Sequence, residues 1–444
     1  MRTKRKCLAV LAAGMLAASL SACQGPKAAE TAKGDADAGG SDLVKQVSET
    51  PTELVFYVCI NGWTEQQFME TYGNEIKKKF PSYTLKFIPQ KDAQTLPAVI
   101  TSGQTIDILI TSIGLTSNFL LAYEMQDDIS GLIKKYNYDL SRLEPSTIDI
   151  QRQLADGGIY GLPVSTTSGA LFYNKSLFDK FGVPYPTDGM TWDEAYDLAK
   201  TMTRSENGQQ YKGMTMSVQH LMQLNQLSAP HIDPATSKAA YTSDAFRQAF
   251  ENLARFYKIP GNGLLDHKYN LVSQQEPFYK DQNVAMFAAL STTAKTFKDT
   301  VNWDVVQLPV FKEKPGVGPQ SYPTYFYISK ESKNKDAAFQ VLDYVTSDEF
   351  QQYFVKAGNF SILKNQTELM KTFAADDPYM KGKNIKALLP AKFADPTEKT
   401  EYQAIADKEM LNALVAVDGG KDENTALREA EERANKAIEA DKKK

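Results

Sequence analysis

Residues 52–68 read TELVFYVCINGWTEQQF, and the parsing of this stretch decides the fold. Positions 53–60 form an apolar run rich in strand-favouring residues. Asn61 and Gly62 end the run. Thr64 and Gln67 stand at capping-box spacing, which predicts that a helix starts at once. Phe68, Tyr72, Ile76 and Phe80 then recur every four residues along one helical face, and Pro81 stops it. A second strand is predicted at 83–88, a short helix around 96–102 closed by Gly103, and an apolar third strand at 106–110 interrupted only by Asp107. Strand, helix, strand, helix, strand predicts a parallel α/β sheet with right-handed crossovers.

The same grammar continues downstream. Gly157 and Gly158 mark a turn into an extended segment through Pro163, and 171–173 is extended again. Asn174 caps a helix closed by Gly182, and Thr191 and Glu194 form a second capping box. Ser243 caps a helix carrying Phe246, Phe250, Leu253 and Tyr257. Short strands are predicted at 284–287, 303–308 and 325–329, and helices at 336–344 and 348–354. Residues 424–440 read as a charged helix with a narrow apolar stripe of Leu427, Ala430, Ala434 and Ile438. No fixed-period repeat is visible.

The amino terminus has a different character. Arg2, Lys4, Arg5 and Lys6 precede an apolar run at 8–20, which fits the ~7–15 residues of a signal h-region and falls short of the ~20 that span a bilayer. It ends in Leu20, Ser21, Ala22 and Cys23. Small residues before a Cys resemble the bacterial lipobox, so 1–22 is expected to be a signal peptide and Cys23 a lipidation site. Dual acylation plus an N-terminal acyl group would hold the chain stably at a membrane. Residues 24–42 are almost devoid of apolar side chains and cannot offset the entropy of ordering, so 23–51 is expected to be a flexible linker.

The bulk properties exclude several partners. The chain carries a formal charge of −4, and the signal holds four basic residues and no acidic one, so the remainder is more acidic still. Apart from the signal, basic residues run together only briefly, at 77–79 and 442–444, and form no dense patch, which argues against nucleic acid. No second apolar run reaches spanning length, so membrane contact is expected through the lipid only. Of Cys7, Cys23 and Cys59, only Cys59 would remain free, inside an apolar run. It reads as a small buried hydrophobe, with no intramolecular disulfide possible.

Several motifs in collinear order carry a family resemblance. After the lipobox come TELVFY at 52–57 with NGW at 61–63, SGQTIDI at 102–108, YGLP at 160–163 and LFYNK at 171–175. TWDE at 191–194, NVAM at 283–286, WDVVQLP at 303–309 and SDEF at 347–350 follow. This order resembles the extracellular solute-binding proteins of ABC importers, specifically the maltose-binding-protein-like group that mostly takes up sugars. The resemblance covers nearly the whole chain after the signal. It implies a two-lobed periplasmic-binding-protein-like α/β fold of type II, each lobe a sheet flanked by helices. The first lobe would be 52–162 plus 306–349, and the second 163–305 plus 350–444. It implies a monomer, anchored outside the cytoplasm, that closes by hinge bending around a carbohydrate and passes it to the permease's transmembrane subunits. No cofactor is implied. The cleft agrees with the rule that such sheets bind ligands beyond the carboxyl ends of their strands.

That rule selects the candidate ligand residues. Trp63 and Thr64 follow the first strand, in a loop that contacts sugar in the resembled family; Trp63 offers a flat face to a pyranose ring and Thr64 a hydroxyl. Thr111 and Ser112 follow the third strand. Ser165 and Thr167 belong to four consecutive hydroxyl residues, 165–168, at an expected lobe crossing; the family places a polar, often acidic, side chain near Thr167, and this chain has no acid there. Gln219 and His220 fall where the family's second lobe supplies cleft residues. His231 and His267 stand at no metal-type spacing from His220, so no metal site is expected. Ser291 follows the 284–287 strand, and Tyr322 is a second candidate stacking ring, with Tyr325 read as strand core. Sugars need both kinds of partner, because CH faces stack on rings while each buried hydroxyl left unpaired costs ~1–3 kcal/mol.

Two other classes remain open at this stage. A glycoside hydrolase would use two carboxylates, but the chain has no nucleophile elbow, no HExxH and no Walker loop, so no catalytic residue is assigned and no turnover is expected. A surface-anchored sensor or adhesin would share both fold and lipid.

Overall fold

The computed structural model describes residues 45–364 and 366–443; the signal segment, Cys23 and residues 24–44 lie outside them. Residues 45–49, within the segment expected to be linker, are helical. Val47 packs against the first core, and the Tyr83 hydroxyl donates to its carbonyl at 3.3 Å. This apolar anchor ends the linker earlier than composition suggested.

Two five-stranded sheets organise the chain. The first runs in the order Tyr83–Pro89, Thr52–Val58, Ile108–Ser112, Tyr322–Ile328, Gly161–Thr167. Thr52–Val58 pairs parallel with both neighbours, as the strand–helix alternation predicted. Tyr322–Ile328 is antiparallel to both of its neighbours, because it returns from the other sheet rather than through a βαβ crossover. The helix after the first strand opens with the complete capping box: Gln67 N–H donates to Thr64 Oγ1 at 3.2 Å, and Thr64 N–H to Gln67 Oε1 at 2.9 Å. It widens into a π turn at Met69–Gly73, and Phe68, Tyr72, Ile76 and Phe80 are all buried.

The second sheet runs Trp303–Gln307, Gly169–Asn174, Val284–Leu290, Gln209–Met216, Arg204–Glu206. Helices Gln403–Asp418 and Glu423–Asp441 cover it through Met410, Leu414 and the stripe of Leu427, Ala430, Ala434 and Ile438, all buried. Trp303, Phe172 and Phe297 pack its other face. No described helix is long and apolar enough to cross a membrane.

The crossings between sheets differ from the expected boundaries. Gly161–Thr167 pairs with Tyr322–Ile328, so the first crossing is at Ser168 rather than after 162. Trp303–Gln307 pairs with Gly169–Asn174, which puts the second crossing between 308 and 321 rather than at 305/306. Helix Asp348–Lys356 stays with the first sheet instead of joining the second lobe, because Phe350 and Phe354 are buried in the first core. Each such burial contributes about 1.5–3 kcal/mol. Phe360 then packs in the second sheet's core, whereas Ile362 and Leu363 return to the first.

Candidate functional site

A cavity of about 600 Å³ opens between the two sheets, at the ends of several of their strands. On the first-lobe wall, the turn after Thr52–Val58 uses Gly62 at φ +85°, a left-handed conformation that favours glycine. Trp63 emerges from this turn half-buried and stacks on Tyr72, with ring centroids 6.1 Å apart and planes 18° off parallel. Tyr72 is in turn stacked on Phe350 at 6.0 Å, so the aromatic surface is backed by the first core.

Deeper on this wall, Tyr322 Oη lies 3.4 Å from Ser112 Oγ, and its ring meets His220 edge-on at 5.5 Å. A Cβ on Gly114 would fall 2.1 Å from Tyr322 Oη, so a glycine is needed for the phenol to lie there. Burial pushes the Tyr322 phenol up to about 12, which keeps it neutral. Thr166 and Thr167 are also buried against the cavity, and their Oγ1 atoms have no partner among the described residues. An unpaired buried hydroxyl costs about 1–3 kcal/mol, so this strand end is suited to a ligand's own donors and acceptors.

The second-lobe wall rests on a buried carboxylate. Asp407, on helix Gln403–Asp418, accepts from Gln219 Nε2 at 3.3 Å and from Gln223 Nε2 with one oxygen. Its other oxygen accepts from Gln403 Nε2 at 2.7 Å and sits 2.8 Å from His231 Nδ1. Burial alone would raise its pKa, but the His231 contact and the glutamine hydrogen bonds outweigh this and hold it below the usual carboxylate range. Because a carboxylate only accepts, it turns both amide NH₂ groups inward. Gln219, which lines the cavity, thereby has its amide turned by Asp407. Gln223 Oε1, which has no described partner, lies against Gly114 of the first lobe. His220 is fixed by Ser217 Oγ, 2.6 Å from its Nδ1. Burial pushes its imidazole down to about 4 against the opposing effect of Asp407, so it is neutral.

Of the residues singled out from sequence, Trp63, Ser112, Ser165, Thr167, Gln219, His220 and Tyr322 line this one cavity. Thr64, Thr111 and Ser291 do not. Thr64 is exposed, with its hydroxyl committed to the capping box. Thr111 is fully buried beneath the strand end. Ser291 is fully buried too; its N–H donates to Ser168 O at 2.8 Å and its hydroxyl bonds the carbonyls of Ser168 and Leu388. Ser291 therefore fastens the first crossing rather than facing a ligand. Tyr325 is strand core, as read from sequence, and donates to Thr147 O at 2.6 Å.

The sequence reading missed Lys295, Asn359 and Phe360, which line the cavity, and Asp407, which stands behind it. Lys295 follows the Val284–Leu290 strand by five residues and could have been found by extending the strand-end rule. Asn359 and Phe360 come from the third crossing, which follows a helix. A second cavity of about 470 Å³ on the second lobe is a charged groove whose ions pair with one another, such as Arg255 with Asp193 at 2.7 Å and Lys258 with Glu423 at 2.8 Å. Three of its cations are held in ion pairs, the third being Arg247 with Asp244.

Comparison with known proteins places this geometry. Residues 62–352 match the model of the bacterial extracellular solute-binding protein family. A Brucella abortus chain that carries the provisional name of a binding protein is 25% identical over 378 residues, covering 80% of this chain and 87% of its own. Among solved structures, the fold is similar to an ABC substrate-binding protein of Listeria monocytogenes in complex with cycloalternan (TM-score 0.68, 19% identity, 87% of this chain and 99% of that one). It is equally similar to the sugar-binding protein MalE of Xanthomonas citri (TM-score 0.68, 18% identity, 88% and 98%). An Agrobacterium radiobacter solute-binding protein in complex with ribitol follows (TM-score 0.62, 21% identity, 88% and 99%).

Proposed function

We propose that this chain, which belongs to the bacterial extracellular solute-binding proteins, captures a carbohydrate in the cleft between its lobes and delivers it to an ABC permease. The observation that carries this reading is the composition of one cavity: aromatic surface from Trp63 and Tyr72 beside the unpaired hydroxyls of Thr166 and Thr167 and the oriented amide of Gln219. The CH face of a sugar ring stacks on the indole, and its hydroxyls replace the missing partners of the threonines. The similar folds that hold cycloalternan and ribitol support the same ligand class. The ligand is an oligosaccharide in this reading, since about 600 Å³ exceeds what one ring fills.

Binding proceeds by closure of the two lobes about their crossings, and Ser168, held by Ser291 and Gln320, is one pivot. The chain is tethered by a lipid on Cys23, works as a monomer and carries out no chemistry on its ligand. The family supports the last point, since the matched model and the similar solved structures are those of binding proteins.

The test is calorimetric titration of the mature protein with a panel of neutral and acidic mono- to tetrasaccharides, followed by chromatography of the recovered ligand. Saturable binding with ligand returned intact is the expected result. Release of smaller sugars would move the assignment to a hydrolase, and failure of every saccharide to bind would remove the carbohydrate reading.

A further inference from the structure

Among the described residues, Lys295 is the one side chain lining the cavity that carries a formal charge, and no described carboxylate pairs with it. Its Nζ donates to Asn359 Oδ1 at 2.7 Å and to the Ala357 carbonyl at 3.3 Å, both neutral acceptors. Asn359 is itself fixed, since its Nδ2 donates to Phe354 O at 3.2 Å and leaves Oδ1 for the lysine. Lys295 is an exposed residue whose hydrogen bonds hold its ammonium against the chain at 357–359; desolvation there pushes it down to about 8, with the charge of Asp377 opposing. The site therefore holds a cation through neutral acceptors, with no carboxylate paired to it among the described residues.

A second observation marks the same end of the cavity. Thr166 N–H donates to the Phe360 carbonyl at 3.4 Å, which places Thr166 beside Asn359 and Phe360. The Thr166 side chain is 1% exposed, and its hydroxyl has no described partner. A cation and an unpaired hydroxyl thus line the same cavity, which has no acid among its described lining residues.

We infer that the ligand is an acidic saccharide whose uronic carboxylate is held by Lys295, with Thr166 as a further hydrogen-bonding partner. This rests on the carbohydrate reading and narrows it. The monoanion is preferred to a phosphate on charge: one ammonium balances one carboxylate, whereas a dianion would leave one charge without a partner. Among the described residues, no arginine lines the cavity to grip a phosphate by two parallel bonds.

The experiment uses the mature chain and matched pairs of glucuronic and galacturonic oligosaccharides, each as free acid and as methyl ester, with neutral maltooligosaccharides and sugar phosphates alongside. The free acids are expected to bind about ten-fold or more tightly than their esters, the scale of a charge-assisted contact. Lys295→Met should abolish that preference, and Lys295→Arg should keep most of it; melting temperatures of both variants report any loss of fold. Equal binding of acid and ester by the wild type, or a preference that survives Lys295→Met, overturns the inference. Tighter binding of sugar phosphates overturns the carboxylate assignment. If neutral sugars bind and acids do not, the inference falls while the carbohydrate reading stands; if no saccharide of either kind binds, both fall.

Discussion

On the first-lobe wall of the cleft, Trp63, Tyr72 and Ser112 stand within a few residues of the strand ends and helix cap that place them. On the second-lobe wall, Gln219 takes its orientation from Asp407, 188 residues further along the chain. The first wall is rigid by stacking, since Trp63 lies on Tyr72 and Tyr72 on Phe350. The second is rigid by a charge: one carboxylate gathers Gln219, Gln223, Gln403 and His231. Stacking supplies affinity with little directional demand. The hydrogen-bonded wall depends on direction and on one shared acceptor, Asp407. Damage to the two walls should therefore look different.

The largest effect belongs to the charged wall. Asp407→Ala removes the acceptor shared by the buried Gln223, Gln403 and His231 and the part-buried Gln219, and should lower stability by about 3–5 kcal/mol, the scale of removing one partner from a buried carboxylate contact. Denaturant unfolding measures it, and affinity per folded molecule should fall too, because Gln219 loses its orientation. The pH dependence follows from the depressed carboxyl. Above the ordinary unfolded value of 3.8 the contribution is fully present, and it is lost as pH falls through the lower folded value. The stability difference between wild type and Asp407→Asn should thus be constant near neutrality and shrink in acid below about pH 4. A difference that instead grows in acid would remove Asp407 as the support of this wall.

The same contrast explains what the sequence made legible. The capping box at Thr64, the strand-end positions of Trp63 and Ser112, and the buried stripe from Leu427 to Ile438 are local patterns with a fixed physical meaning. The hydroxyl run at 165–168 was visible as composition. Its division was not: Thr167 faces the cavity while Ser168 donates to Gln320 O, and only the pairing of Gly161–Thr167 with Tyr322–Ile328 separates them. Ser291 was chosen for its hydroxyl, and its depth beneath the crossing depends on Leu388, far away in the chain. Asp407 carries no local mark at all, being one acid among 54 Asp and Glu residues until its four partners converge.

The stacked wall should respond in affinity rather than in stability. Trp63→Ala is expected to weaken saccharide binding by about 1–3 kcal/mol, or roughly 5- to 150-fold, while unfolding changes by about 0.5–1.5 kcal/mol for the lost Tyr72 stack. The chain has three tryptophans, and Trp192 and Trp303 are buried in the second lobe at 4% and 0% exposure. A ligand-induced change in emission should therefore come from Trp63 and vanish in the variant. A large loss of stability with unchanged affinity would make Trp63 a core residue and erase the distinction between the walls.

The smallest effect tests where the first wall ends. Thr64 follows Trp63 directly, yet its side chain is exposed and accepts from Gln67 N–H at 3.2 Å, while Gln67 Oε1 accepts from Thr64 N–H at 2.9 Å. Removing the hydroxyl leaves an orphan helix N–H, which water can reach because the cap is exposed. Thr64→Ala should then cost about 1 kcal/mol of stability, and Thr64→Ser, which restores the acceptor, should recover most of it. Affinity should stay within about two-fold of wild type in both, since the Tyr72 stack rather than the cap holds the indole. The informative alternative is a loss of affinity in Thr64→Ala comparable to that of Trp63→Ala, with stability unchanged and Thr64→Ser binding normally. That outcome would mean that closure brings the capping hydroxyl to the ligand and that the wall extends one residue beyond the ring.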